Sequence, residues 1–300
     1  MKILLFGKNG QVGWELQRSL APLGELIALH RHSSHLCGDI SDLDGIAHTV
    51  RTVVPDVIVN AAAYTAVDKA EAEQALAHTI NALAPTVLAQ EAKQCAALLV
   101  HYSTDYVFNG EGQRAWVETD ATATQNVYGQ TKLDGEVAIQ ASGCNHLIFR
   151  TSWVYAQRGN NFAKTMLKFA QEREVLSVID DQIGAPTGAD LLADVTAHTI
   201  RATLQNPALC GLYHLVANGH TSWYGYARMI IDYARQAGIV IKVQADAIKP
   251  VPSSAYVTAA KRPFNSRLDT AKLKNTFDIY LPEWQAGVTR MLDELIEQKQ

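Results

Sequence analysis

The sequence predicts an α/β protein built on a doubly wound parallel sheet and completed by a smaller C-terminal lobe. Three observations predict it. An apolar run, Lys2 to Gly7, opens the chain and leads through glycines spaced Gly7-x-x-Gly10-x-x-Gly13 into the helical pattern Trp14, Leu16, Leu20. Short apolar strands then alternate with helical stretches as far as Arg150. Beyond Arg150, polar turns and aromatics replace the apolar strands.

The first element reads as strand, phosphate loop and helix. Gly7, Gly10 and Gly13 allow a tight turn and a close backbone approach to a pyrophosphate, whose charge would lie among the free N–H groups opening the helix, with Gln11 and Val12 in its first turn. This is the Rossmann-like reading, although the spacing is not Gly-x-Gly-x-x-Gly, and an ordinary strand-to-helix turn is the plain alternative. The second strand, Leu26 to His30, ends where such folds place an acid on the adenosine ribose, and His30, Arg31 and His32 stand there instead. Arg31 either binds a 2′-phosphate, so that NADPH is accepted as well as NADH, or is simply solvated. Asp39 and Ile40 would bind the adenine amino group and pack its ring. Alternatively Asp39 caps a helix over 42–53, a role that Ser41 also suits.

A third strand runs from Asp56 through Asn60 to Ala63, where small residues would let a cofactor approach. Helices are expected at Val67–Thr79 and Asn81–Cys95, then a strand, Leu98–Thr104, and a helix over 128–141. Cys144–Arg150 closes this part, followed by helices over Phe162–Glu172 and Ala189–Leu204. The expected division is a dinucleotide-binding domain at 1–150 and a mainly substrate-binding lobe at 151–300, some of whose segments return to the first domain.

The chemistry is expected at Tyr128 and Lys132, which share one helix face. A phenol titrates near 10, and an ammonium within about 4 to 6 Å lowers such a value by roughly 1 to 3 units, making a usable acid. Thr104 ends its strand at the carboxyl edge of the sheet, where open α/β sheets bind ligands, so phenol, ammonium and hydroxyl could meet at one carbonyl. With eleven tyrosines in the chain, a Tyr-x-x-x-Lys match alone decides little. Asp180 and Asp181 read as solvated turn residues, and Arg262 and Arg267 suit a phosphate or diphosphate.

Composition narrows the classes. A 300-residue chain that is 48% hydrophobic builds a substantial core. A formal charge of −4 with interspersed signs calls for neither nucleic acid nor an anionic membrane. The four cysteines lack metal or disulfide spacing, and the absence of a leader or membrane span predicts a cytoplasmic protein.

The N-terminal glycines, Ser103-Thr-Asp-Tyr-Val-Phe108 and Tyr128-x-x-x-Lys132 together resemble the extended short-chain dehydrogenases. Segments 60–71, 126–129, 150–155, 182–187 and 262–266 extend the likeness over nearly the whole chain, toward members that act on sugar nucleotides. The resemblance implies reduction of the 4-keto group of dTDP-4-dehydro-L-rhamnose for bacterial surface polysaccharide. Tyr128 would donate the proton, Lys132 would tune it and bind the nicotinamide ribose, and Thr104 would hold the substrate oxygen. Asp105 and Trp153 would contact the sugar nucleotide; Gly10, Gln11, Val12, Asp39, Ile40, Ala62, Ala63 and Tyr64 would hold NADPH or NADH. His30 departs from the acid expected in the family. Some members dimerise around magnesium, which would fall to Glu15, Asp190 and Glu294, otherwise three solvated acids. A sugar-nucleotide epimerase retaining NAD and a non-catalytic regulatory subunit are the rival readings.

Overall fold

A computed structural model describes residues 1–297. β1 (Lys2–Phe6), α1 (Gln11–Leu20), β2 (Glu25–Leu29), α2 (Leu43–Val53) and β3 (Val57–Asn60) open the chain, and three short helices follow, α3 (Val67–Ala70), α4 (Gln74–His78) and α5 (Ala84–Gln94). Next come β4 (Leu98–Thr104), α6 (Val127–Ser142), β5 (His146–Thr151), β6 (Val154–Tyr155) and α7 (Phe162–Glu172). β7 (Leu176–Ile179), β8 (Ile183–Gly184) and β9 (Thr187–Gly188) precede α8 (Ala189–Gln205), β10 (Gly211–His214), β11 (Thr221–Ser222) and α9 (Trp223–Gln236). β12 (Ile248–Val251), α10 (Ala271–Phe277) and α11 (Trp284–Glu297) end the described chain.

The main sheet has six parallel strands in the order β10-β5-β4-β3-β1-β2. Strand order reverses between β1 and β3, the place where doubly wound sheets bind ligands. Its strands are apolar on both faces. Ile3, Leu5, Val57, Val59 and Val100 pack with Leu16, Leu20 and Leu192 on one side, while Leu4, Phe6, Ile58 and Leu99 pack with Ile46, Val50 and Leu88 on the other. Residues two apart share a face, so each strand feeds both layers. A second set of apolar clusters joins α7, α9 and α11 with β7 and β12. Among the described residues no helix is long and apolar enough to cross a membrane.

The helices expected at 67–79 and 81–95 divide elsewhere. The chain breaks after Ala70, then runs from Gln74 through a π-helical turn at Thr79–Leu83 into α5. Pro85 explains the widened turn: it has no N–H to donate to the carbonyl of Asn81 four residues earlier. The cap of α2 is also corrected. Asp42 accepts from Gly45 N at 3.0 Å, whereas the Ser41 hydroxyl donates to Asp39 at 2.7 Å. The third strand is shorter than expected, because Asn60 turns its side-chain oxygen to Ala62 N, 3.1 Å away, and ends the extended run.

One buried ion pair ties α6 to β5. Arg150 donates through Nε and Nη2 to the Glu136 carboxylate at 2.6 to 3.2 Å, and both residues are almost wholly enclosed. Removing one partner leaves a buried charge unpaired, so Glu136→Ala is expected to lower unfolding free energy by about 3 to 5 kcal/mol in urea denaturation. A loss under about 1 kcal/mol would show that water reaches the pair.

Candidate active site

The phosphate loop forms where three backbones nearly touch. Gly7 has φ +86°, and a Cβ there would meet Ala62 N at 2.7 Å; a Cβ on Gly13 would meet Gly7 O at 2.0 Å. Only glycine allows these crossings. Gly10 precedes α1, with no side chain capping the first-turn N–H groups, which leaves donors for an anion. Gln11 and Val12 begin that helix. The cradle therefore fits a dinucleotide pyrophosphate, and the segment before α7 touches it: Arg158 Nε donates to Asn9 O at 3.1 Å, and Asn161 Nδ2 to Gln11 Oε1 at 3.2 Å.

Two asparagines that the sequence reading passed over hold the run Ala62-Ala63-Tyr64. Asn60 accepts from Ala62 N, and Asn81 in the π turn accepts from Tyr64 N at 2.9 Å and donates to Tyr64 O and to Thr131 Oγ1. The expectation for Arg31 needs revision. Its Nε lies 3.1 Å from Asp39 Oδ2, so the arginine is neither merely solvated nor free. Burial tends to raise the Asp39 pKa, but Ser41 and Arg31 outweigh it and hold the carboxylate below its usual range. His30 Nδ1 accepts from His32 N at 3.1 Å. Ile40 is 7% exposed and packed into the core, which limits what it can offer an adenine ring.

Thr104 closes β4 and faces three ways. Its hydroxyl donates to Asp105 Oδ1 at 3.1 Å and accepts from Tyr106 N at 3.2 Å, while Tyr128 stands close by. Tyr106 packs edge-on to the Tyr128 ring at 5.6 Å. Asn126 caps α6 through Gly129 N at 2.7 Å, and Glu71 accepts from Val127 N at 2.9 Å, so the first turn carrying Tyr128 is fixed from two elements. Lys132 is 2% exposed; its Nζ lies 3.1 Å from His101 Nε2 and donates to Tyr102 O.

The expected lowering of the phenol by Lys132 is absent here. Burial pushes Tyr128 up to about 12, with the Thr104 hydroxyl opposing and Asp105 adding to the rise. Burial also pulls Lys132 down to about 8 against the favourable charge of Glu136. The reason is geometric: Lys132 is turned back along β4, where its nitrogen meets His101 Nε2 and donates to the Tyr102 carbonyl.

Beside Tyr106 lies a cavity of about 1080 Å³, lined by Phe162, Gln182, Trp223, Tyr256, Arg262 and Phe264 among others. Trp153 flanks Trp223, their rings stacked at 3.6 Å, and holds an unusual φ of +49°. Arg262 lines this cavity yet also grips Asp68 at 2.7 Å, so a phosphate there would compete with a carboxylate. Asp180 and Asp181 accept from Ser222 and Ser253, anchoring turns.

Glu15, Asp190 and Glu294 border one small cavity, but they do not fit a magnesium ion within this chain. Each faces a guanidinium: Glu15 lies 3.5 Å from Arg18, and Arg290 lies 3.4 Å from Asp190 and 3.5 Å from Glu294. Among the described residues no three His, Cys, Asp or Glu side chains are grouped to hold a metal.

Asp105 is 2% exposed, and its Oδ2 has no hydrogen-bond partner. Burial raises its pKa to about 7, against Ser266 and Thr104. A carboxyl raised from its ordinary 3.8 binds more protons folded than unfolded, so its contribution to stability is complete below pH 4 and lost as pH rises through 7. Asp105→Asn should therefore gain stability over the unsubstituted chain at pH 8 relative to pH 5, by on the order of 3 kcal/mol. Urea titrations at the two pH values check this, and an equal effect at both would refute it.

The chain matches the RmlD substrate binding domain family over residues 1–297. It is 60% identical over 295 residues to the dTDP-4-dehydrorhamnose reductase of Escherichia coli K12, covering 98% of each chain. It is 45% identical over 302 residues to that of Burkholderia thailandensis, covering 99% of this chain and all of the relative. The structure superposes with a TM-score of 0.88 on the dTDP-4-dehydrorhamnose reductase of Bacillus anthracis in complex with NADP, at 34% identity, covering 98% of this chain and 99% of that one.

Proposed function

We propose that this chain, which belongs to the RmlD substrate binding domain family, is an NADPH- or NADH-dependent reductase that converts dTDP-4-dehydro-L-rhamnose to dTDP-L-rhamnose. One observation carries the reading: Thr104 and Tyr128 meet at the carboxyl edge of the sheet, and Tyr106, packed against the Tyr128 ring, lines a cavity large enough for a sugar nucleotide, in a chain alike end to end to such reductases. A sugar nucleotide and a dinucleotide are both charged and do not cross a bilayer unaided, which supports a cytoplasmic reaction.

When bound, the dinucleotide supplies the hydride that reduces the ketone carbon. Negative charge then grows on the ketone oxygen, and Tyr128 delivers its proton there. Lys132, whose nitrogen is directed to His101 and the Tyr102 carbonyl, would as an ammonium hold the nicotinamide ribose. Thr104 offers a hydroxyl to the same oxygen. That hydroxyl now donates to Asp105 Oδ1; once Asp105 is itself protonated it donates to Thr104 instead, freeing the threonine proton for the substrate.

Tyr128→Phe removes only the proton donor, so kcat should fall about 100- to 10,000-fold with KM little changed. NAD(P)H absorbance with dTDP-4-keto-6-deoxy sugars supplied in turn checks this. Retention of more than about a tenth of kcat would place the acid elsewhere. In the unsubstituted protein NADP+ should appear in stoichiometry with product, as it does not in an epimerase.

Cofactor choice follows from Arg31. It holds Asp39 through Nε, so a 2′-phosphate would engage its remaining nitrogens. NADPH should serve at least as well as NADH, and Arg31→Ala should weaken NADPH more than NADH, by roughly 1.5 to 3 kcal/mol. A tenfold preference for NADH in kcat/KM would overturn this.

A further inference from the structure

Behind Tyr128 and Lys132 runs a buried chain of hydrogen bonds that the steps above leave unused. Asn60 and His101 are register partners on β3 and β4, each 1% exposed. Ala62 N–H donates to Asn60 Oδ1 at 3.1 Å, which orients the amide so that Nδ2 points at His101 Nδ1, 3.2 Å away. An amide nitrogen only donates, so His101 accepts at Nδ1 and, as a neutral ring, carries its proton on Nε2. That proton faces Lys132 Nζ at 3.1 Å.

An amine can accept it; an ammonium, with three donors and no lone pair, cannot. To charge Lys132, the ring proton must move to Nδ1 and the Asn60 amide must turn over, which sets its NH2 against Ala62 N–H. We propose that His101 is a positioning residue for Lys132: held by Asn60 in the Nε2–H tautomer, it donates to the lysine nitrogen and governs when that nitrogen takes up a proton. The proposal rests on the reductase reading for its consequence in catalysis, but the tautomer stands apart from it.

The surroundings agree. Burial, then the Lys132 charge, keeps His101 well below the usual histidine range. Glu136, one turn along α6, favours the ammonium, but Arg150 of β5 holds that carboxylate at 2.6 Å. Tyr128 lies one turn back on α6. β4 adds the Tyr102 carbonyl, and beyond it Thr104 and Asp105, while β3 brings Asn60 and no charged residue.

Two measurements test this. The first is ¹⁵N NMR of the histidine-labelled, unsubstituted protein at pH 9, where Lys132 is an amine, with His101 assigned by its absence in His101→Gln. The expected signature is a neutral ring protonated on Nε2; protonation on Nδ1, or an imidazolium, overturns the proposal whatever the activity. The second is the pH dependence of kcat for ketone reduction. Activity should fall as Lys132 loses its proton, and His101→Gln, whose amide oxygen can accept from the ammonium, should move that alkaline limb up by about one pH unit, a tenfold change in ammonium population at fixed pH. Asn60→Ala, which releases the tautomer, should move it the same way and takes over both arms if the glutamine variant fails to fold. A limb that stays in place while kcat falls equally at every pH means a structural role only, and sinks the idea. No ketone reduction by the unsubstituted protein would instead refute the reductase reading, with the NMR result still deciding the tautomer.

Discussion

The docking of α6 is the constraint on which the site depends. Its buried face is not an apolar stripe: Gly129, Thr131, Lys132, Gly135 and Glu136 are enclosed, with Ile139 the one large apolar residue among the buried positions of this helix. Glycine makes the contacts close. A Cβ on Gly129 would meet Tyr106 O at 2.3 Å, and one on Gly135 would meet Asn81 O at the same distance. That second carbonyl is the one left without a helical partner by Pro85, so the widened turn at 79–83 and the approach of α6 are two sides of one arrangement. The Arg150–Glu136 pair then fixes rotation about the helix axis and with it the direction of Lys132.

This explains which parts of the molecule could be read from the residues alone. The strands of the main sheet are uniformly apolar and the phosphate loop is marked by glycine, so β1, β4, the loop and α7 stand out in the sequence. Polar docking has no such periodicity. The break after Ala70, the π turn and the shared duties of Asn60 and Asn81 depend on partners 17 to 50 residues away, which spacing along the chain does not reveal. His101 carried a faint signal, a titratable residue inside an otherwise apolar strand. Arg31 and Arg262 were visible as cations suited to phosphate, but their acids, Asp39 and Asp68, are identified only by the fold. Tyr128 and Lys132 were visible as a pair; the turning of Lys132 toward β4 was not.

Segments beyond Arg150 meet the phosphate loop and α6 in a series of specific contacts. Arg158 lies over Trp14 at 4.0 Å while bonding the loop carbonyl of Asn9, Asn161 reaches Gln11, and Asn126 at the start of α6 donates to Lys261 O at 2.7 Å. Each bond ties a residue of the phosphate loop or of α6 to a segment that also borders the large cavity or leads into it. A change in either half is therefore felt at the other, since packed interfaces yield by discrete steps and not by smooth bending.

Burial separates the ionisations of the proposed acid and its neighbour, and that separation sets which protonation state the resting site holds. Burial pushes Tyr128 up to about 12 and pulls Lys132 down to about 8. Near neutral pH the resting site thus contains a protonated phenol, which is what reduction of a ketone requires. Oxidation of the alcohol would need the phenolate first, and several units of pKa separate neutral solution from that state. Negative charge developing on a ketone oxygen supplies the driving force for proton release only at the moment of hydride arrival, so the acid is spent in the transition state and not before. In this chain the lysine is directed to His101 and the Tyr102 carbonyl, and the phenol is left a strong holder of its proton.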